Sequence, residues 1–410
     1  MKDKQAKYPQ LRFKGFTDPW EERKLGEFSD VRDGTHASPK YVSQGHPMVT
    51  SKNLTHSGLD MTDVSFLTDE DFNEINKRSK VSIGDILFGM IGTIGNPVIV
   101  DRDDFAIKNV ALIKEKTSNP ITNKWLLQYL KSPSFNRFIQ KENAGGTQKF
   151  IALGLIRDMK LRVPEFDEQQ KIGSFFKQLD DTIALHQRKL DLLKEQKKGY
   201  LQKMFPKNGA KVPELRFAGF TDDWEERKLS DFSKTTYGGG TPKTAVTEYW
   251  DGNIPWIQSS NLTVDDVQEV NLDKFITDDA IKNSAAKLIP ANSIAIVTRV
   301  GVGKLTLMKQ EFATSQDFLS LSELHVDEQF GLYSIYKLLQ KELNNIQGTS
   351  IKGMTKADLL TKDIMIPVEK DEQIKIGSFF KQLDDTITLH QRKLDLLKEQ
   401  KKGFLQNMFV

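Results

Sequence analysis

Two glycine-rich stretches and six histidines are where this chain of 410 residues could do chemistry. "GMIGTIG" (Gly89–Gly95) spaces its glycines as GxxGxxG, not GxGxxG, and a second β-branched run follows it rather than a helix. A pyrophosphate would meet no helix N-terminus there. "GVGK" (Gly301–Lys304) lacks an earlier glycine at the phosphate-loop spacing, and Leu305 follows where Ser or Thr is needed. Both stretches read as hairpin turns, where glycine accepts positive φ. His36, His46, His56, His186, His325 and His390 form neither an HxxxH nor an HExxH pair, so no metal site is expected. The chain has no Cys, which removes thiolate nucleophiles, thiolate metal sites and disulfides. There is no Gly-x-Ser-x-Gly elbow, and "NPV" at Asn96 and "NPI" at Asn119 do not continue into an amino-methyltransferase motif. No active site emerges, which points to binding rather than catalysis.

The chemistry that remains is recognition. Loops rich in Lys, Thr, Ser, Asn and Gln recur at matching places in the two halves. In the first half they supply Thr35, His36, Lys40, Tyr41, Ser51, Lys52, Asn53, Thr93, Asn96, Lys108, Asn109, Thr147, Gln148 and Lys149. In the second they supply Thr241, Lys243, Gln258, Ser259, Ser260, Asn261, Arg299, Lys304, Gln316, Asp317, Thr349, Ser350 and Lys352. Lys, Arg and backbone amides hold phosphates, whereas Asn, Gln, Arg and the hydroxyl residues read base edges. Each loop alone is an ordinary polar loop. Their recurrence in one frame with changed letters makes the set a candidate DNA-reading surface, and "SQD" (Ser315–Asp317) against "KN" (Lys108–Asn109) is a change that would alter which base is read.

The elements that position these loops are duplicated. "LRFKGFTDPWEERKLGEFS" starts at Leu11 and "LRFAGFTDDWEERKLSDFS" at Leu215, an offset of 204. Glu168–Phe205 and Glu372–Phe409 have the same offset and are identical at 34 of 38 positions, so the partner of one is the partner of the other. Between them the middles diverge but keep a frame, "HPMVTSKNL" against "IPWIQSSNL" and "ILFGMIGTIG" against "IAIVTRVGVG". Each middle combines strand–turn–strand runs with helical spacing in "NKWLLQYLKSPSFNRFIQK" or "EQFGLYSIYKLLQKELNNI", so each is expected to be an α/β domain with a mostly antiparallel or mixed sheet. The closing segments step by three or four through Ile172, Phe175, Leu179, Ile183, His186, Leu190, Leu193, Lys197, Tyr200 and Met204, a heptad-like seam weakened by His186 and Lys197. They predict helices capped at Asp167 and Asp371 and roughly 57 Å long. The two helices are expected to pack antiparallel, because a two-fold relation inverts one against the other. Phe175, Phe176, Leu179, Ile183 and Leu190, with Phe379, Phe380, Leu383, Ile387 and Leu394, would bury between the helices or against a partner.

The layout is therefore a first recognition domain with its leader (1–167), a helix (168–205), a linker (206–214), a second domain (215–371) and a second helix (372–410). The fold class is α/β (α+β): two pseudo-two-fold related globular domains separated by two long antiparallel coiled-coil helices. Lys plus Arg exceeds Asp plus Glu by 59 to 56, which neither demands nor excludes nucleic acid. No secretory leader and no apolar run of 18 residues is seen, so a soluble, cytoplasmic protein without membrane contact is expected.

Taken together, "FTDPWEERKLGEF" and "FTDDWEERKLSDF", "IPWIQSSNL" and the "KIGSFFKQLDDTI" helices resemble the specificity subunit of type I restriction-modification enzymes over essentially the whole chain. The resemblance implies two target recognition domains, each reading half of a split, asymmetric double-stranded DNA site. It implies helices that fix the gap and bind two copies of a modification subunit carrying S-adenosylmethionine and methylating adenine. Two motor-nuclease subunits that use ATP and Mg complete such complexes. By this resemblance the chain binds no cofactor and catalyses nothing. A methyltransferase-nuclease and a scaffold joining two non-nucleic-acid ligands are the competing readings, and salt-dependent DNA binding separates the scaffold from a DNA reader.

Overall fold

A computed structural model describes residues 8–409 except 57, 93, 117–120, 143–149, 208 and 346–353. The chain divides into two compact units. The first comprises Met1–Gln187 and Lys393–Val410, and the second comprises Arg188–Arg392.

In the first unit a four-stranded antiparallel sheet runs in the order Ser29–Asp33, Val110–Glu115, Ile86–Gly89, Gly95–Ile99. In the second, Ser233–Gly238, Phe318–Leu324, Ser293–Val297 and Leu305–Met308 take the same order. Both strand–turn–strand readings hold. Each unit adds a three-stranded sheet whose central strand, His46–Val49 or Ile254–Ile257, is antiparallel to one neighbour and parallel to the other. Each also pairs the end of its leader, Glu21–Lys24 or Glu225–Lys228, with the strand just before its long helix, Lys160–Val163 or Asp363–Ile366. These three sheets are thus repeated although the middles share few residues, and the first unit adds a two-stranded pair, Leu54–Thr55 with Gly58–Leu59.

The helices on the sheets differ. "NKWLLQYLK" forms Asn123–Lys131 and ends at Ser132, because Pro133 disfavours helical backbone before it; a second helix spans Pro133–Glu142. The second unit has no proline there and runs one helix, Glu328–Asn345.

The long helices span Phe166–Lys203 and Lys370–Asn407. Both start one residue earlier than the expected caps, since Asp167 and Asp371 lie inside the first turn. The anchoring side chain is also different: buried Gln169 accepts from Thr122 N at 3.1 Å and donates to Pro164 O at 3.0 Å. Gln373 repeats this with Asp327 N (2.9 Å) and Pro367 O (2.9 Å). Each helix contributes its N-terminal half to one unit and its C-terminal half to the other. Within each unit the two helix segments run antiparallel: Phe175 meets Phe404 edge-on at 5.0 Å in the first, and Tyr200 meets Phe379 at 5.0 Å in the second. Gly173 and Gly377 mark close crossings, where a Cβ would stand 2.8 Å from the Lys124 Cβ and 2.5 Å from the Phe330 N.

Candidate nucleic-acid interface

In the first unit, the chain leaving Ser29–Asp33 crosses the strand end at Ala106–Ile107. Gly34 N donates to Val110 O and Thr35 N to Ile107 O, both at 3.0 Å. Only glycine allows the crossing, because a Cβ on Gly34 would lie 2.3 Å from Ile107 O. The crossing places Thr35 and His36 beside Lys108 and Asn109. His36 Nδ1 is 2.7 Å from Asn109 Oδ1, and its Nε2 is 2.9 Å from a carboxylate oxygen of buried Asp33. Arg78, from the helix Asp69–Ser79, holds the other Asp33 oxygen. Asn109 adopts left-handed backbone at φ 56°, which asparagine tolerates well. Its carbonyl accepts from Ser51 Oγ at 3.2 Å, and Lys108 Nζ reaches Ser38 Oγ at 2.8 Å.

The second unit makes the same crossing with other letters. Gly240 N donates to Thr314 O at 2.8 Å, and Ser315 N to Ile257 O at 2.9 Å. Cβ atoms on Gly239 and Gly240 would lie 1.9 Å from Ser315 O and 2.1 Å from Ala285 O. Thr241 Oγ1 lies 2.8 Å from Gln316 Oε1, the counterpart of the His36–Asn109 contact. Thr298 fastens the next carbonyl, Asp317 O, through its N (2.8 Å) and Oγ1 (2.9 Å), and Lys304 Nζ bonds Ser259 O at 2.9 Å.

Two copies of one topology, each with a variable loop pair at the same edge, match a known domain. A model of the type I restriction modification DNA specificity domain fits residues 17–195 and again 221–399. This chain belongs to that family. A Methanocaldococcus jannaschii protein named as a type I restriction enzyme specificity subunit is 22% identical over 404 residues, covering 95% of this chain and 92% of its own. The Escherichia coli type I restriction enzyme EcoR124I/EcoR124II specificity subunit is 26% identical over 341 residues, covering 76% and 80%. The crystal structure of the type I restriction-modification S subunit of M. genitalium shares the fold, with TM-score 0.67, 13% identity and coverage of 98% and 99%. The chain is a type I specificity subunit with two DNA recognition domains.

Within this specificity subunit the sequence-derived candidates divide into four groups. His36, Lys40, Tyr41, Lys52, Lys243, Ser260, Arg299 and Gln316 are exposed, although Lys52 is paired with Asp63 at 2.9 Å. Thr35, Lys108, Asn109, Thr241, Gln258, Ser259, Lys304 and Asp317 are half-buried at the loop crossings. Asn53 and Asn261 are corrections: both are buried, and their amides are consumed by the fold. Asn53 accepts from Thr50 N and donates to Asp60 O and Asp63 O, while Asn261 accepts from Gln258 N and donates to Asn271 O and the Asp273 carboxylate. Ser51 is likewise buried, and Asn96 spends its amide on Leu54 O at 3.0 Å. Thr93, Thr147, Gln148, Lys149, Thr349, Ser350 and Lys352 lie outside the described residues.

Three charged residues at these edges lie outside the candidate set. Asp33 and Arg78 buttress His36 in the first unit. In the second, Lys356 lies beside Gly238, whose Cβ would come 2.7 Å from its Nζ. Burial lowers the Lys356 ammonium pKa, neighbouring Arg299 and Lys287 lower it further, and Asp317 opposes them. The available signal was a lysine opening the helix Lys356–Leu360, against the helix dipole. In the first unit, hydrogen bonds to Asn109 and then Asp33 raise His36 above the ordinary imidazole range against burial and Arg78.

The helix residues are spent largely inside the chain. Phe176 and Phe380 are fully buried in their unit cores, each contributing about 1.5–3 kcal/mol. Leu190 and Leu394 are buried, whereas Phe175, Leu179, Ile183, Phe379, Leu383 and Ile387 are half-buried. The leucines left in solvent are Leu185 and Leu192, with their repeat equivalents Leu389 and Leu396. Among the described residues no helix is long and apolar enough to cross a membrane.

Proposed function

We propose that each unit reads one half of a bipartite, asymmetric double-stranded DNA site. The long helices set the gap between half-sites and dock two copies of an adenine-methyltransferase subunit. One observation carries this reading: the two units share their topology while their crossing loops differ, and the helices are nearly identical on every face. Different loops call for different half-sites, and a duplicated outer face with exposed Leu185 and Leu389 calls for two copies of one partner. The chain itself is a non-catalytic, cytoplasmic addressing subunit. S-adenosylmethionine belongs to the methyltransferase, and ATP with Mg to two restriction subunits where these join the complex.

The test is methylome sequencing of cells expressing this chain with its methyltransferase partner. Replacing Gln316 and Asp317 together is expected to change or abolish one half of the methylated sequence and leave the other intact. Alteration of both halves at once contradicts the two-module reading. Binding of the assembled complex to duplex DNA is expected to fall steeply with salt as phosphate contacts are screened.

A further inference from the structure

We infer that Asn109 and Gln316 are base-reading side chains of the two units, each held in one presentation by a loop partner, His36 in the first and Thr241 in the second. The inference rests on the half-site reading above and names the residues that would carry it. Both amides stand immediately before a sheet strand, Val110–Glu115 or Phe318–Leu324, with Asp317 intervening in the second unit. Both are approached by a chain that only glycine lets through. In both, the amide oxygen faces the partner, at 2.7 Å from His36 Nδ1 and 2.8 Å from Thr241 Oγ1. A free amide rotates and flips, so it pays ordering entropy on binding and shows either end to a base. A tethered one shows its NH2 and its second oxygen lone pair in a fixed sense, the donor–acceptor pair that matches N7 and N6 of adenine in the major groove.

The first unit adds a condition. Asp33 accepts only, so His36 Nε2 carries a proton; Nδ1 facing Asn109 Oδ1 then requires the imidazolium. The charged groups facing His36 are Asp33 from the strand Ser29–Asp33 and Arg78 from the helix Asp69–Ser79. When Nδ1 loses its proton it becomes an acceptor, and Asn109 must turn its NH2 inward, exchanging the donor and acceptor shown to the base. His36 is thus a positioning residue and Asn109 the reader. Thr241, a hydroxyl, imposes no such condition on Gln316.

The test uses the complex of the full chain with its methyltransferase. Methylome sequencing is expected to show Asn109→Asp, which tolerates the same backbone, changing the base accepted at one position of one half-site. Gln316→Glu is expected to change one position of the other. Affinity for a duplex carrying the wild-type motif should fall about tenfold or more in each. With Asn109 intact, His36→Gln should flatten the pH profile of binding, which in the wild type weakens as pH rises above the ordinary imidazole range of about 6.5. Gln316→Glu should keep that profile. A wild-type bipartite motif that survives Asn109→Asp and Gln316→Glu unchanged overturns the inference while the half-site reading stands. So does a His36→Gln profile identical to wild type, the deciding measurement if Asn109→Asp abolishes methylation altogether. A wild type that yields no bipartite motif removes the half-site reading itself.

Discussion

Glu168 shows what a single side chain does here. It is fully buried, accepts both arms of Arg12 at 2.7 Å, and takes the Trp20 indole N–H at 3.1 Å. Glu372 and Arg216 repeat the pair at 2.7 and 2.8 Å. Removing one member of a buried ion pair strands the other, at about 3–5 kcal/mol. Glu168→Gln is therefore expected to lower the thermal midpoint of the first unit by several degrees in calorimetry, with Arg12→Leu combined with Glu168→Leu recovering much of the loss. An unchanged midpoint for Glu168→Gln would contradict the role assigned to the pair. The leader motif was legible as a repeat, but its job was not, because arginine and glutamate lie 156 positions apart. The reading loops were legible as a frame. Asn53 and Asn261 were misassigned because an asparagine three residues past a turn start satisfies backbone N–H groups as readily as it reads a base.

Among the elements, the long helices were the most legible, since their period is written over 38 residues. What looked like a flaw in the seam is a contact. Lys197 Nζ lies 2.6 Å from Asp384, nearly buried, and Tyr333 Oη donates to the same carboxylate at 2.6 Å. Burial lifts the Asp384 pKa above its ordinary range, although Lys197 and Tyr333 pull it down. The repeat-equivalent pair, Lys401 and Asp180 at 2.6 Å, leaves its carboxylate 32% exposed. Identical letters thus bear different loads, which no periodicity could reveal. Asp384→Asn should cost about 3–5 kcal/mol by leaving Lys197 buried and unpaired, against about 1 kcal/mol or less for Asp180→Asn. Denaturant unfolding of both variants measures the difference; equal costs would mean that burial does not set the strength of the pair.

For the whole molecule, the 204-residue offset exposed the duplication but not its wiring. Two helices identical at 34 of 38 positions carry no sign of which half of which helix completes which unit, and that emerges only from the fold. Leu11 N donates to Asn407 O at 2.9 Å, as Leu215 N does to Lys203 O at 2.9 Å. The junction that residues 206–214 make covalently in mid-chain is thus made by hydrogen bonding at the ends. A permuted chain beginning at Lys207, with the original ends joined by a copy of that linker, is expected to fold and to bind the same DNA duplex in the assembled complex. Failure to fold would show that the two junctions are not equivalent.

The division of the chain has a consequence for its synthesis. Arg188–Arg392 is one uninterrupted stretch, whereas the first unit needs Lys393–Val410. Domains ordinarily mature in the order in which the ribosome delivers them. Here the half that is translated first is completed last. The last aromatic side chain to be synthesised, Phe409, packs against Trp20, Trp125 and Tyr129 from the first-made segment.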